Sequence, residues 1–540
     1  MRSDRIGYRR RLRSGFATLL VLLVIAALSL AVYAFANQTF LEHSATRASI
    51  RQTQARWTAL SGIDALRSQM FAANTLQFHQ LVNAHQWKEP VPVATEAPEF
   101  QTGVYRQISR KELTAGLQSE SARLNLNALD LSRAGEVVSR TRLVGLPNVT
   151  PQMADALLDW MDADDEPRTF GAEANWYADN APQARPTNGP IRNLHQLTFI
   201  RGFDELIVFG EDTNNNGWLD WNEDDGDSQL PSDNGDGVLN LGLAQYISLN
   251  AFESNIDALG NKKINLNNDD LFELHAQVSS RFGESVATFI AAYRLDGPVT
   301  QAGEVDLKEL RKELDRSFDA RIDAQLNASG ERRDTRKAPR RSQSTKGGVA
   351  LERSPLYRIA SVVDLIGVSV ITLIDDGEKM LTSPWELNGA DAHDLLLKLE
   401  DAFTVSDQDR LPGRIDINQA SLEVLRTIPG LSHTSAQAMV ATRERPKNGA
   451  ANDSFRSIYW LLENKLLSLE ELRRVAEFIT VKGAIYSGYA AGHDRGSQSS
   501  AFIKFTLCQE GASVRLLEQC EVGFAPLMEQ DVRHDRSRFP

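Results

Sequence analysis

The sequence predicts an α+β fold in which a long N-terminal helix and a C-terminal antiparallel sheet enclose a large, mostly helical region. An uncharged apolar run at residues 16–35 predicts the helix. Three similar openings, at residues 124–127, 264–267 and 415–418, each lead into an amphipathic helical pattern and predict a repeated helical module. After Thr480 the pattern changes to alternating and β-rich segments, which predict strands.

Length and charge narrow the class of protein. A chain of 540 residues is too long for one hydrophobic core and predicts about three domains. The formal net charge of -13 argues against broad nucleic-acid binding, which requires a cationic surface. It fits a protein that binds cations or basic partners.

The N-terminus has the charge pattern of a membrane anchor. The apolar run at 16–35 is about 20 residues long, enough to span a bilayer as a helix. The basic residues that precede it keep the N-terminus in the cytoplasm and place the rest of the chain outside; they are Arg2, Arg5, Arg9, Arg10, Arg11 and Arg13. A cleaved secretory signal is the alternative, because Ala34 and Ala36 offer a small-residue cleavage site.

The junction at Gly15 resembles a type IV prepilin leader. A basic leader that ends in Gly15 is followed directly by the apolar residues Phe16, Ala17, Thr18, Leu19 and Leu20. The resemblance implies that a prepilin peptidase cuts after Gly15, that Phe16 is then methylated, and that the helix remains as the anchor. Most members of this class carry Glu at the fifth mature position, and this chain has Leu20 there. The K-type minor pseudopilin lacks that Glu, as would an ordinary signal anchor.

The N-terminal helix is expected to continue beyond the membrane, to about Ala84. Apolar residues such as Trp57, Leu60 and Ile63 recur near helical spacing. Residues 54–60 resemble the segment of pseudopilins that packs on their own sheet. The first strands are expected near residues 91–105.

Each of the three modules predicts short helices that follow a polar cap. The third resembles a helix–hairpin–helix unit, with Pro429, Gly430 and Leu431 at its hairpin, and the first has a related hairpin at residues 144–147. Such units often bind nucleic-acid backbone through a Gly-apolar-Gly turn, but Ser432 replaces the second glycine and the second module has no such turn. A packing role is therefore favoured over DNA binding.

An ordered set of motifs in the first module resembles the helical insert of the type II secretion minor pseudopilin K family. The set comprises residues 158–168, Gly171-Ala172-Glu173, Trp176-Tyr177 and Asn188-Gly189-Pro190. The resemblance implies a pilin-like helix and sheet interrupted by a helical domain with helix-hairpin-helix or SAM-like repeats. The expected segments are a leader (1–15), transmembrane helix (16–35), pilin-like helix and first strands (36–122), module 1 (123–210), a calcium-binding-like insert (211–262), module 2 (263–370), a connecting segment (371–413), module 3 (414–482), C-terminal strands (483–528) and a tail (529–540).

Residues 212–223 fit the EF-hand loop at every diagnostic position. Calcium prefers six to eight oxygen ligands, which this loop supplies from positions 1, 3, 5, 7, 9 and 12, with glycine at position 6. The predicted ligands in that order are Asp212, Asn214, Asn216, the carbonyl of Trp218, Asp220 and Glu223. An acidic turn without metal is the alternative.

Two further acidic clusters are weaker candidates for a second cation. Asp233, Asn234 and Asp236 resemble half of such a loop, which could share ligands or be only a turn. The cluster of Asp162, Asp164 and Asp165 is a candidate because the family's helical insert is known for calcium. A solvated helix end is the alternative there.

Two smaller features complete the sequence. The basic segment 327–354 lacks apolar periodicity and is expected to be a disordered linker. The two cysteines, Cys508 and Cys520, flank two strand-like runs with Gly511 between them. A hairpin would let them form a disulfide in an oxidising compartment, and two unpaired thiols are the alternative.

No catalytic arrangement is evident, so we expect a structural protein and not an enzyme. The resemblance implies an inner-membrane protein with most of its chain in the periplasm and with calcium as a structural ion. Its expected partners are the other minor pseudopilins, the major pseudopilin and the prepilin peptidase. The expected function is to initiate the pseudopilus at its tip and so support the export of folded proteins. The alternative is a DNA-binding component of a competence or type IV pilus system.

Overall fold

The computed structural model describes residues 14–72, 100–109, 112–132, 134–214, 217, 219–226, 228, 233–299, 345–374, 377–387, 392–443, 453–494, 500–511 and 513–522. The helices in chain order are α1 (Ser14–Ala72), α2 (Glu136–Val144), α3 (Pro151–Met161), α4 (Ala174–Asn180), α5 (Glu205–Phe209), α6 (Leu271–Phe282), α7 (Glu284–Asp296), α8 (Ala392–Ala402), α9 (Leu422–Leu425), α10 (His433–Arg443), α11 (Trp460–Glu463) and α12 (Leu469–Val475).

The strands in chain order are β1 (Phe100–Ser109), β2 (Glu112–Ala115), β3 (Gln118–Ser119), β4 (Leu124–Asn125), β5 (Ile247–Ser248), β6 (Phe252–Ser254), β7 (Ile264–Asn265), β8 (Thr345–Lys346), β9 (Val349–Ala350), β10 (Ser369–Ile374), β11 (Gly377–Thr382), β12 (Phe403–Thr404), β13 (Arg410–Pro412), β14 (Ile415–Asp416), β15 (Ile479–Thr480), β16 (Ile485–Asp494), β17 (Ser500–Glu510) and β18 (Ser513–Val522). The mixture of helices and antiparallel strands confirms the predicted α+β class.

One six-stranded sheet joins the two ends of the chain. Its order is β18–β17–β16–β1–β2, and β3 also pairs with β16. Every pairing in this sheet is antiparallel. Strands β1 to β3 come before the helical modules and strands β16 to β18 come after them, so the modules are inserted into the sheet between β3 and β16.

The second half of α1 packs on this sheet. The buried apolar side chains of α1 recur every three or four positions, as expected for one face of a helix; they are Ala55, Ala59, Ile63, Leu66 and Met70. Four of them share a core with Tyr486, Ala490, Ile503 and Phe505 of β16 and β17. Residues 54–60 therefore contact the sheet as expected. The predicted continuation of the helix past Ala72 and the strand start at 91–99 lie outside the described residues.

The C-terminal hairpin forms as predicted, but the disulfide does not. Gly511 adopts a φ of 59° between β17 and β18. The register places Cys508 opposite Arg515 and Cys520 opposite Lys504. Because the two cysteines lie at different heights along the hairpin, both are free thiols, with Cys508 buried and Cys520 exposed. Of the two alternatives that the sequence left open, the structure has the unpaired thiols, because the register of the pairing keeps the cysteines apart.

The three repeats share one closing device. Each opening segment forms a two-residue parallel bridge with a strand much later in the chain: β4 with β5, β7 with β12, and β14 with β15. Parallel strands require a long crossover between them, and here the crossover is the body of the module. Each module therefore begins and ends at neighbouring points.

In each module, the side chain of one asparagine in the opening segment forms hydrogen bonds to the middle of the module. The Asn127 side chain donates to the carbonyls of Ile191 and Leu249 and accepts from the N–H of Ile191. Asn267 repeats the pattern with Ile359 and Val405. In the third module the Asn418 side chain donates to the carbonyl of Phe455. Buried backbone N–H and C=O groups need hydrogen-bond partners. These asparagine side chains supply partners where no neighbouring strand does.

The modules are built on two hydrophobic cores. Module 1 has its own core, which includes Leu124, Leu157 and Ile247. A second core comprises Ala122 and residues between Ile264 and Val481, and it is shared by modules 2 and 3. Segment 371–413, expected as a connection, contains the end of β10, all of β11, helix α8 and strands β12 and β13. In the basic segment 327–354, residues 327–344 lie outside the described residues, as do residues 523–528 and the tail.

Candidate functional site

The N-terminal half of α1 contacts no other described part of the chain. Its side chains are exposed from Phe16 to Ile50, and Leu20 is 51% exposed. Among the described residues, α1 is long and apolar enough to cross a membrane. Gly15 and Phe16, the expected processing site, lie in its first turn.

A buried acidic cluster lies in module 1. Among the described residues, Asp159, Asp162 and Glu173 are the one group of three acidic side chains whose ligand oxygens approach within 4.8 Å of one another. Asp159 and Asp162 come from the end of α3 and the residue after it, and Glu173 caps the start of α4. Gly171 permits the close approach of the loop, because a Cβ there would lie 1.8 Å from Asp159 Oδ2.

Arg168 neutralises only part of this cluster. Its Nη1 lies 2.7 Å from Asp159 Oδ1 and also contacts Asp162, and its Nε lies 3.2 Å from Glu136 Oε1. Both carboxylate oxygens of Glu173 and Oδ1 of Asp162 are buried without a hydrogen-bond partner. A buried carboxylate without partners is unstable as an anion, so a cation or a proton would stabilise this cluster.

The pKa of Glu173 reflects the same excess of negative charge in the cluster. Burial and the negative charges of Asp159 and Asp162 raise the pKa of Glu173 to about 7. Burial also raises the pKa of Asp159, although Arg168 opposes the shift. A divalent cation would satisfy the unpaired oxygens and would oppose these shifts by stabilising the carboxylate anions.

The structure places the predicted residues of this cluster differently. Of Asp162, Asp164 and Asp165, only Asp162 points into the site, and the other two are exposed. Asp159 and Glu173 were missed as ligands, although both lie in the motifs that carry the family resemblance. The signal was the three-residue spacing of Asp159, in the last turn of α3, and Asp162, the residue after α3, which brings both carboxylates to the same end of the helix.

The EF-hand-like loop has its chain bend in place, and four of its six candidate ligands lie within the described residues. Gly217 adopts a φ of 79°, and its N–H donates to Asp212 Oδ2 at 2.9 Å. Glu223 is buried and accepts from the N–H groups of Thr213 and Asp220, both at 3.1 Å. Asn216 and Trp218 lie outside the described residues.

Hydrogen bonds between the ligands hold this loop together. Asn214 Nδ2 donates to Asp220 Oδ2 at 2.6 Å. Burial raises the pKa of Glu223, and the negative charges of Asp212 and Asp220 add to the shift. To bind calcium, the Asn214 amide would have to turn so that its oxygen faces the ion.

The second acidic stretch forms a turn against the end of this loop. The Asp233 carboxylate accepts from the N–H groups of Asp225, Gly226 and Gly235 at 2.7 to 3.0 Å. The side chains of Asn234 and Asp236 each accept from the backbone two residues later. Backbone donors therefore take up oxygens that a cation would need.

The fold and these sites define a class of protein: a pilin-like helix and sheet, with an N-terminal helix long and apolar enough to cross a membrane, that carries an inserted helical domain with acidic sites. Residues 122–208 match the family model described as type II secretion system protein K. Residues 413–480 match a helix-hairpin-helix model. The first module is therefore similar to type II secretion system protein K, as the resemblance implied.

Individual relatives agree with this. The chain is 27% identical over 204 residues to type II secretion system protein K of Klebsiella pneumoniae, covering 36% of this chain and 59% of that protein. It is 27% identical over 202 residues to the protein of the same name from Pseudomonas aeruginosa, covering 36% and 58%. The matched region thus spans about three fifths of the length of these relatives.

A solved structure of the GspK-GspI-GspJ complex of the type 2 secretion system from enterotoxigenic Escherichia coli is also similar. It shares 10% identity, with a TM-score of 0.34, over 89% of this chain and 99% of that one.

Proposed function

We propose that this chain is the minor pseudopilin K of a type II secretion system and that it initiates the pseudopilus at its tip. The observation that carries the proposal is the insertion of a module related to protein K between β3 and β16 of a pilin-like sheet. A subunit with this architecture presents a bulky domain on top of a filament-forming helix. Its partners would be the other minor pseudopilins, the major pseudopilin and the prepilin peptidase.

Leu20 supports the tip position. In the related pilins, the glutamate at the fifth mature position pairs with the N-terminal amine of a neighbouring subunit. A subunit that carries Leu20 there offers no carboxylate to a subunit above it. The terminal position in a filament needs no such acceptor.

The mass of the mature N-terminus tests the assignment. We expect cleavage after Gly15 and a methylated Phe16 in cells that contain the prepilin peptidase, and an intact leader in cells without it. The variant Gly15→Leu should remain uncleaved, whereas Gly7→Leu, within the leader, should be processed normally. A cut near Ala36, or a leader that persists with the peptidase present, would contradict the assignment.

We also propose that calcium is a structural ion of this protein. The unpaired oxygens of Asp162 and Glu173 suit a hard cation, and Asp159 would complete the set. Asp212, Asn214, Asp220 and Glu223 would hold a second ion in the EF-hand-like loop. In each place the ion would offset buried negative charge and tie a loop to a helix.

A second candidate function is binding of duplex DNA through module 3, because residues 413–480 match the helix-hairpin-helix model. Gly430 has the expected left-handed turn, with a φ of 78°. The Ser432 hydroxyl, however, accepts from the N–H of Ser435 at 3.0 Å and so caps the helix end that would face a phosphate. Salt-sensitive binding of labelled duplex DNA that Gly430→Val abolishes would favour this candidate.

A further inference from the structure

A buried carboxylate lies where all three modules meet the pilin-like sheet. Glu253 is in β6, directly after module 1, and is only 4% exposed. Its strand pairs with β13, where Leu411 lies opposite Glu253. The neighbouring Phe252 accepts, through its carbonyl, from the N–H of Ala484 at 2.9 Å, just before the sheet resumes at β16.

The cations around Glu253 come from segments that lie far apart in the sequence. Lys263 directly precedes the opening strand of module 2, and its Nζ lies 3.8 Å from Glu253 Oε1. Arg414 directly precedes the opening strand of module 3, and its Nη1 lies 3.1 Å from Glu253 Oε2. Lys482 lies two residues after the closing strand of module 3, and its Nζ lies 3.9 Å from Asp401 Oδ1 of α8.

This position in the repeat is basic in every copy. Arg123, Lys263 and Arg414 each stand one residue before an opening strand. Arg123 pairs locally with Glu120 at 3.1 Å. The other two converge on Glu253, although they are separated by the whole of module 2.

The surroundings strengthen these ion pairs. Glu253, Lys263 and Arg414 line a cavity of about 30 Å³ together with Glu400 and Thr480. Lys263 also donates to the backbone carbonyl of Glu400 at 3.0 Å. Burial alone would raise the pKa of Glu253, but the attraction of Arg414, Lys263 and Lys482 outweighs it, so the pKa lies below its usual value. Charges shielded from bulk water in this way are screened little by salt.

We propose that Glu253 is an ionic lock that fixes how modules 2 and 3 are mounted on the pilin-like sheet. One carboxylate holds the chain where it enters module 2 and where it enters module 3, next to the backbone bond that joins β6 to the start of β16. Neutralising this group leaves buried cations without their counter-charge, which costs far more than the loss of a surface pair. The lock is independent of whether the chain assembles into a filament.

Hydrogen exchange of the full chain tests this lock, with Glu253→Gln as the variant. We expect exchange to become about tenfold faster or more at β6, β13 and the amide of Ala484, while the amides of α6, α7 and α10 stay protected. Asp155→Asn is the matched control, because Asp155 is equally buried but pairs with Arg140 inside module 1. Its effect should stay within α2 and α3.

The double variant Glu253→Gln/Lys263→Met covers the case in which Glu253→Gln alone fails to fold. Removing Lys263 removes part of the repulsion between unpaired cations, so protection of the modules should recover while β6 and β13 still exchange fast. Unchanged exchange at β6, β13 and the amide of Ala484 in Glu253→Gln would overturn the lock. The lock would also be overturned if exchange in the double variant were faster than the summed effects of Glu253→Gln and Lys263→Met.

Discussion

The side-chain amide of Asn267 bonds both the carbonyl and the N–H of Ile359, each at 2.9 Å, across 92 positions of the chain. The same amide also donates to the carbonyl of Val405, beside the closing strand of module 2. One side chain thus joins the beginning, middle and end of the module.

Removing this clamp should destabilise the shared core of modules 2 and 3. Asn267→Ala leaves backbone groups of Ile359 and Val405 without partners, and we expect it to lower the free energy of unfolding by about 2–4 kcal/mol. Thermal or urea unfolding measures the change. The exposed Asn250→Ala serves as control and should change it by less than about 0.5 kcal/mol. Equal effects of the two variants would rule out the clamp.

The packing of α1 on the sheet depends on a glycine. A Cβ at Gly492 would lie 1.9 Å from the carbonyl oxygen of Ala55. Gly492→Ala should therefore push α1 from β16 and cost about 3 kcal/mol. Gly377→Ala, whose Cβ would meet nothing closer than 3.6 Å, is the control. Limited proteolysis of α1, read by mass spectrometry, should detect cleavage near Ala55 in the first variant alone.

Calcium should stabilise the helical insert. For a site with an affinity typical of extracellular EF-hand modules, 10 mM calcium should raise the unfolding temperature by about 5 °C relative to chelator. Glu173→Gln and Glu223→Gln should each remove one bound ion in a calorimetric titration. Asp164→Asn, whose side chain is exposed, should leave the number of ions unchanged. A stoichiometry that neither glutamine variant alters would contradict both sites.

The two thiols should react very differently. Cys520 is exposed, whereas Cys508 is buried, and burial raises the pKa of the Cys508 thiol. We expect N-ethylmaleimide to modify Cys520 in the folded chain and Cys508 only after unfolding, because the thiolate is the reactive form. Intact mass should show two free thiols before labelling. A loss of two hydrogens that is reversed by reductant would mean that the register of β17 and β18 differs.

The sequence was sufficient for features that repeat or have a period. The apolar run predicted α1, and the openings at Leu124, Ile264 and Ile415 predicted the three modules. Their closing strands at Ile247, Phe403 and Ile479 were not predicted, because two-residue strands far along the chain leave no periodic signal. The helix pair α6 and α7, joined at Gly283, was missed for another reason: its turn lacks the Gly-apolar-Gly pattern.

Among the candidate sites, those with a contiguous sequence pattern could likewise be predicted, and those assembled by the tertiary structure could not. A contiguous EF-hand pattern can be found from spacing alone. The cluster of Asp159, Asp162 and Glu173 is assembled by a loop that folds back over α3, so only the tertiary structure unites its members. Glu253 illustrates the extreme case, since its partners Lys263 and Arg414 belong to separate modules.

The parallel bridges that close each module have a consequence for how such a chain can lengthen. Because a module returns to the point where it began, a copy of it can be added in tandem without displacing the strands on either side. Duplication of the encoding segment would then yield a longer protein whose sheet remains unchanged. The number of modules can therefore change without a change in α1 or in the six-stranded sheet.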